Sequence, residues 1–280
     1  PKIALAKFDK AFFGHVGFVV NILAKNLWQG LTAGRTIAVP GDKFERRYFQ
    51  QLSRLSAAFA MISDTALLTL GGSLKRREIL SGRMADALSH LYLGSAVMKR
   101  YHDQGRKQED HSLVEWSMAH NLYGAQESLS KFLNNFPYRP VAWFLNLWIF
   151  PFGRLIAPPS DKTTLQVASL LMEPSKARDR LTNGIYLPVD EADPMAMLEE
   201  ACKQSVAMAG VEAELVKFAK TNHLNPGEDI IQKAVAARVL TSMEARRLVK
   251  VRKLCNKVSQ VDDFPPSDFT SGGRKLEDAA

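Results

Sequence analysis

Residues Leu67 to Leu93 read LLTLGGSLKRREILSGRMADALSHLYL, and the fold is decided by how this stretch is read. One apolar helix stops at Gly71-Gly72, a basic elbow Lys75-Arg76-Arg77 follows, and a second helix begins. Each glycine lowers helix propensity by about 1 kcal/mol relative to alanine, and three consecutive cations are not buried unpaired, so the chain turns here. Beyond the elbow, Leu80, Met84, Leu88, Leu91 and Met98 recur at helical spacing, while Arg83, Asp86, His90 and Lys99 point elsewhere. Before it, Leu52, Leu55, Phe59, Ile62, Ala66 and Leu70 make a matching stripe, which predicts an antiparallel hairpin. Arg83 and Asp86, three apart on one helix, are expected to pair, with Arg54 as a second partner for Asp86.

Upstream, Leu5, Phe8, Phe12, Val16, Val19, Leu23 and Leu27 predict a helix from Ile3 to about Leu31, with Gly14 or Gly17 as points of interruption. Asp42 is the expected N-cap of the helix entering at Phe44. Downstream of Gly105, Asp110 or Ser112 is expected to cap a third long helix. Its apolar side is read as Leu113, Trp116, His120, Tyr123, Leu129, Phe132 and Leu133, with a stop before Pro137. No strand alternation is sustained in these residues, so the class is all-α: an antiparallel helical bundle followed by a smaller helical C-terminal domain.

The stretch Pro140 to Gly153, PVAWFLNLWIFPFG, is uncharged and crowded with aromatics. A membrane span needs about 20 apolar residues, and this run is too short to cross. Two readings remain, a buried connector or an interfacial anchor with Trp143, Phe144, Trp148, Phe150 and Phe152 at the headgroup boundary. In the second reading Arg139 and Arg154 at its ends reach phosphates. Ser160 or Asp161 then caps a short helix through Leu171, and the polar stretch Glu173 to Pro194 is read as irregular and as the internal boundary. Helices follow over Met195 to Ala219, Asp229 to Leu240 and Ser242 to Ser259, with Asn225-Pro226-Gly227 as a turn. The last helix has an imperfect capping box, with Ala245 where Glu or Gln belongs, and a basic face of Arg246, Arg247, Lys250, Lys253 and Lys257. The expected division is 1–136, 137–174, 175–262, and a disordered tail over 263–280.

A chain of 280 residues that is 46% hydrophobic buries a sizeable core. A net charge of +8 points to an anionic partner, for which membranes, CoA phosphates and nucleic acid all qualify. Nucleic acid is disfavoured because no helix-turn-helix or aromatic-basic interleaving is present. Cys202 and Cys255 are far apart and lack neighbouring ligands, which argues against a metal site or disulfide framework and for a reducing cytoplasm. There is no secretory signal, and the start at Pro1 suggests a piece of a longer protein. His90 and His102 lie near Asp86 and Asp103, yet no Ser-His-Asp order, H-E-x-x-H, P-loop or G-x-G-x-x-G after a strand accompanies them, so both are read as structural. Lys75, Arg76 and Arg77 are either a solvated loop or a contact for lipid headgroups or CoA phosphates.

The run LGGSLKRREILSGRMADALSHLYL, followed by GSAVMKRYHDQGR, resembles the C-terminal part of the bacterial long-chain acyl-CoA dehydrogenases of fatty-acid β-oxidation. Arg83, Ala85, Asp86, Leu91 and Tyr92 form an R-x-A-D-x-x-x-x-L-Y run similar to the last helical hairpin of the mitochondrial very-long-chain enzymes. The resemblance extends to VDDFPP near the C-terminus. In that family a glutamate takes the α-proton of the acyl thioester while FAD takes the β-hydride. The resemblance implies that both sites precede the matched region, so Glu45, Glu78 and Glu115 are not assigned that role. It also implies long-chain acyl-CoA as substrate of the whole enzyme, an electron-transfer flavoprotein or similar acceptor, a homo-oligomer, and a location in the cytoplasm or on the inner face of its membrane. The alternative is a non-catalytic helical module that docks a membrane or a protein partner.

Overall fold

The computed structural model describes residues 2–224 and 229–260. Among the described residues there are ten α-helices and no strand, the all-α class expected from the periodicity. The chain divides into two units, Pro1–Val167 and Ala168–Ala280, and the aromatic stretch Pro140 to Gly153 belongs to the first. The Asn225-Pro226-Gly227 turn and the tail over 263–280 lie outside the described residues.

The first unit contains α1 (Lys2–Leu31), α2 (Lys43–Leu70), α3 (Glu78–Asp103), α4 (His111–Asn134), α5 (Arg139–Ile149) and the start of α6 (Asp161–Met172). Helix α1 is unbroken, because Gly14 and Gly17 meet nothing that would bend it there and the i to i−4 ladder continues through them. Asp42 caps α2 as expected and forms a full capping box with Glu45. Its Oδ1 accepts from the amides of Phe44 and Glu45 at 2.8 and 3.0 Å, and the Glu45 amide bond is the main cause holding the Asp42 carboxyl below its usual range. The Gly-Gly elbow is a 3₁₀ turn, Gly71–Arg76, that begins with Gly71 at φ +50° and buries no residue.

Leu52, Leu55, Ile62, Ala66 and Leu70 of α2 and Leu80, Leu91 and Met98 of α3 are in the core, and Phe59 and Met84 pack against it. Leu88 is exposed and Ala87 takes its place inside. Helix α3 lies more fully along α4 than along α2. Glycine makes the closest part of that approach possible, since a Cβ on Gly124 of α4 would fall 2.5 Å from the His90 ring of α3; Gly94 of α3 likewise sits tightly against Leu52 of α2, at 3.1 Å for an added Cβ. The inward side of α4 is Val114, Met118, Leu122, Ala125, Leu129, Phe132 and Leu133, while Trp116 and Tyr123 are half-buried and His120 is exposed. The buried face is therefore displaced around the helix in its first half from the expected one, because small Ala125 and flexible Met118, not the large aromatics, fill the close α3–α4 gap. Asp110 precedes α4 with a helical backbone and makes no N-cap bond. Asp86 is exposed and is paired with neither Arg83 nor Arg54, since the buried face of α3 is turned toward α4.

The second unit contains α7 (Lys176–Leu181), α8 (Pro194–Thr221), α9 (Ile230–Ala236) and α10 (Ser242–Ser259). Part of the stretch expected to be irregular is helical: Ser175 caps α7, and Arg178 grips Glu199 of α8 with two bonds of 3.1 and 2.8 Å. The α10 capping box is complete but starts one residue earlier than expected, at Thr241 with Glu244. Met208, Leu215, Ala234, Leu240, Leu248 and Val251 form this unit's own core.

Candidate functional site

Helix α5 is positioned by elements far away in sequence. Pro140 pre-sets its first turn, Pro151 follows its end, and Arg139 Nη1 donates to the Asn134 carbonyl at the end of α4 at 2.8 Å. Ala142, Leu145 and Ile149 are buried, followed by Phe150. Trp148 is half-buried, packs against Phe144 with tilted rings whose centres are 4.9 Å apart, and donates its Nε1 proton to the Leu23 carbonyl of α1 at 2.9 Å. Gly30 of α1 lies so close to this segment that a Cβ there would come 2.9 Å from the Trp148 carbonyl oxygen. After α5, fully buried Gln126 of α4 holds the backbone of Ile156 at both its N–H and its C=O, at 3.1 and 3.0 Å.

The seven residues expected at the membrane thus divide. Phe150 is core and Trp148 is bound to α1, because the side of α5 opposite Arg139 and Asn146 covers α1 and α4. Trp143 (70% exposed), Phe144 (41%) and Phe152 (62%) remain on the surface, joined by Leu147 and Tyr138 at 50% each, an apolar patch of unusual density. Arg139 is held by Asn134, and Arg154 pairs with Glu127 of α4, so both cations have partners within the bundle.

Lys75, Arg76 and Arg77 are all exposed on the elbow. Arg76, Arg77, Glu78, Ile79, Leu80, Arg83 and Asn135 line a shallow open depression of about 420 Å³. Arg83 joins this cationic group instead of pairing with Asp86, and Ile79 stands 77% exposed beside it.

The histidines carry structure. His90 Nδ1 and Asn121 Oδ1 are 3.1 Å apart; His120 stacks on Trp116, whose Nε1 donates to Thr164 at 3.0 Å. His102 contacts Arg106 at 2.9 Å, and His111 stacks on Phe44 at 4.2 Å while bonding the Tyr101 hydroxyl at 2.8 Å. Among the described residues no group of three His, Cys, Asp or Glu side chains is placed to hold a metal. Glu45 is fully buried within the cap and bound by Arg106, which makes it a structural carboxylate. Two features escaped sequence reading. Arg54 is buried with no carboxylate partner, and nothing within four residues signals it; the Thr241 to Glu244 box, by contrast, is a plain T-x-x-E pattern.

The chain belongs to the family described as acyl-CoA dehydrogenase, C-terminal, bacterial type, whose model matches residues 1–264 of the 280. No solved structure matches the chain. The family implies FAD in the whole enzyme. The depressions at the elbow and between the C-terminal helices are lined by aliphatic, polar and charged side chains with no ring to stack on an isoalloxazine, so these residues do not fit a flavin. One helical stretch among the described residues, Lys43–Arg76, is long and apolar enough to cross a membrane; 39% of that window is buried inside the bundle.

Proposed function

We propose that this chain forms the C-terminal, non-catalytic part of an FAD-dependent acyl-CoA dehydrogenase that oxidises long-chain fatty acyl-CoA to 2-enoyl-CoA in β-oxidation. Its own contribution is structural support, assembly of the enzyme, and contact with the cytoplasmic face of a membrane. The family match over residues 1–264 carries the first part. The second part rests on the surface of α5, where Trp143, Phe144, Leu147 and Phe152 stand in solvent on an element anchored firmly from behind. A side chain held this way costs no folding energy when it inserts, because the opposite face already secures the helix. The exposed phenylalanines of α1, Phe8, Phe12, Phe13 and Phe18, support the assembly role, since a cluster of large aromatics left in solvent is covered most readily by another protein surface. Transfer of electrons to a flavoprotein acceptor and homo-oligomer formation belong to the same reading of the whole enzyme.

The purified chain with added FAD and palmitoyl-CoA is expected to show no dye reduction above background; measurable turnover would place catalytic groups within these residues and end the proposal. The membrane part has its own test. Trp143→Ser, Phe144→Ser and Phe152→Ser together are expected to weaken partitioning into phosphatidylglycerol-containing vesicles by roughly tenfold or more, as shallow insertion realises part of the 1.5–3 kcal/mol of full burial of a large apolar side chain. Unchanged helicity and melting are expected alongside, and equal sedimentation of variant and native chain would assign the patch to protein contacts.

The alternative reading, a non-catalytic helical module that docks a membrane or a protein partner, is favoured by the occupied histidines. It would gain if no flavin-binding activity accompanied the protein in its native form.

A further inference from the structure

The surface of the second unit carries a charge pattern that neither catalysis nor α5 accounts for. Arg246, Lys250, Lys253 and Lys257 follow one another at intervals of four, three and four residues along α10. At 3.6 residues per turn these positions superimpose within one narrow stripe, about 16 Å long at 1.5 Å per residue. All four are exposed, and they lie opposite the face formed by Ala245, Leu248 and Val251 that is buried in the unit's core. No carboxylate neutralises the stripe among the described residues. Glu244, the helix's one acid, is engaged by the Thr241 cap, and Glu212 of α8 pairs with Arg252 at the edge of the stripe.

Four unpaired cations in line repel one another in the isolated chain, a cost reduced when an anionic surface faces them. The flanks say which surface. Met243 (79% exposed) and Val249 (51%) border the stripe on its two sides. Beside Val249 and Arg246, an open apolar groove of about 630 Å³ runs between α9 and α10, lined also by Ile231, Val235 and Ala245. A nucleic-acid backbone offers charge but nothing to cover bare aliphatic side chains. A lipid leaflet takes both, because its phosphates meet the lysine and arginine heads while the aliphatic stems and neighbours sink to the acyl boundary.

We propose that the exposed face of α10 is a docking surface for an anionic phospholipid bilayer, with Arg246, Lys250, Lys253 and Lys257 on the phosphates and Met243 and Val249 inserted shallowly beside them. This contact is separate from that of α5 and does not depend on it.

The test uses the full 280-residue chain in flotation assays with vesicles of phosphatidylcholine alone and with 30 mol% phosphatidylglycerol (about one lipid in three charged). The native chain is expected to bind the charged vesicles and to lose that binding as salt is raised through the range where the Debye length shrinks from about 10 to 3 Å. Replacing Lys250, Lys253 and Lys257 by glutamine is expected to weaken binding at least tenfold, with Lys→Glu at the same positions abolishing it and circular dichroism unchanged for the glutamine variant. The α5 triple-serine variant keeps the stripe intact and separates the two contacts. If it alone loses binding while the α10 variants bind as the native chain does, the α10 proposal is overturned and the α5 reading stands. Equal binding to uncharged vesicles overturns it as well. So does a native chain that ignores both vesicles but binds polyglutamate or DNA through the stripe, which assigns the surface to a macromolecule.

Discussion

Replacing Arg106 with methionine is expected to destabilise the first unit by about 3 kcal/mol, the low end of the 3–5 kcal/mol typical when a buried charge loses its partner. Arg106 Nε donates to Glu45 Oε1 at 3.1 Å, and Glu45 itself has no exposed surface. With the guanidinium gone, the carboxylate keeps only the Asp42 amide at 3.2 Å and the distant His102 Nδ1 at 4.0 Å. The value sits at the low end because Arg106 is 39% exposed and partly hydrated already. For a unit of this size each kcal/mol moves the melting temperature by roughly 2–4 °C, so a drop of about 6–12 °C is expected in the transition of the first unit. Adding Glu45→Gln to Arg106→Met should restore part of that loss, because the neutral amide removes the stranded charge while filling nearly the same space. A shift below about 2 °C for Arg106→Met would show that water replaces the guanidinium at no cost.

At Arg54 the expected outcome depends on what replaces it. Its guanidinium is 2% exposed: Nη2 donates to the Ile149 carbonyl at the C-terminus of α5 at 3.3 Å, and the cation lies 5.8 Å from the centre of the Phe150 ring. A cation at a helix C-terminus is favourable by about 0.3–1 kcal/mol, up to about 2 when partly buried. Against this stands desolvation, the largest cause depressing its pKa, with Arg47 adding repulsion; its Nε has no hydrogen-bond partner. These effects nearly cancel, so the charge contributes little net stability and the side chain's volume contributes most. Arg54→Met, which keeps the stem, is expected to cost about 1 kcal/mol, and Arg54→Ala about 2–4 kcal/mol through the cavity left between α2 and α5. Denaturant unfolding of both variants decides the matter: equal losses would mean the charge itself holds α5 in place.

Much of the local architecture was legible because its causes lie within four residues. Asp42 caps α2 with its own neighbours, Gly71-Gly72 ends it, and the aliphatic repeat of α2 names its buried side without knowledge of the partner. The α10 cap is equally local, a T-x-x-E box of Thr241 and Glu244 that lies one residue ahead of the expected start. The face of α4 was not legible, since its interior is chosen by the close fit of Gly124 against His90 of α3, and the hydrophobicity of Trp116 or Tyr123 says nothing about that fit. The exposed elbow cations were foreseen by charge alone, whereas the entry of Arg83 into that group required α3 to rotate its core face onto α4.

By itself the sequence determined the helical class, most helix limits and the family to which the chain belongs, because periodicity, caps and motif wording are all written in neighbouring residues. Only the tertiary structure decided what α5 packs against. Arg139 and Asn146 mark its outward side in the sequence, but its partners lie far along the chain: the Leu23 carbonyl accepts from Trp148 across 125 residues, and Arg54 reaches Ile149 across 95.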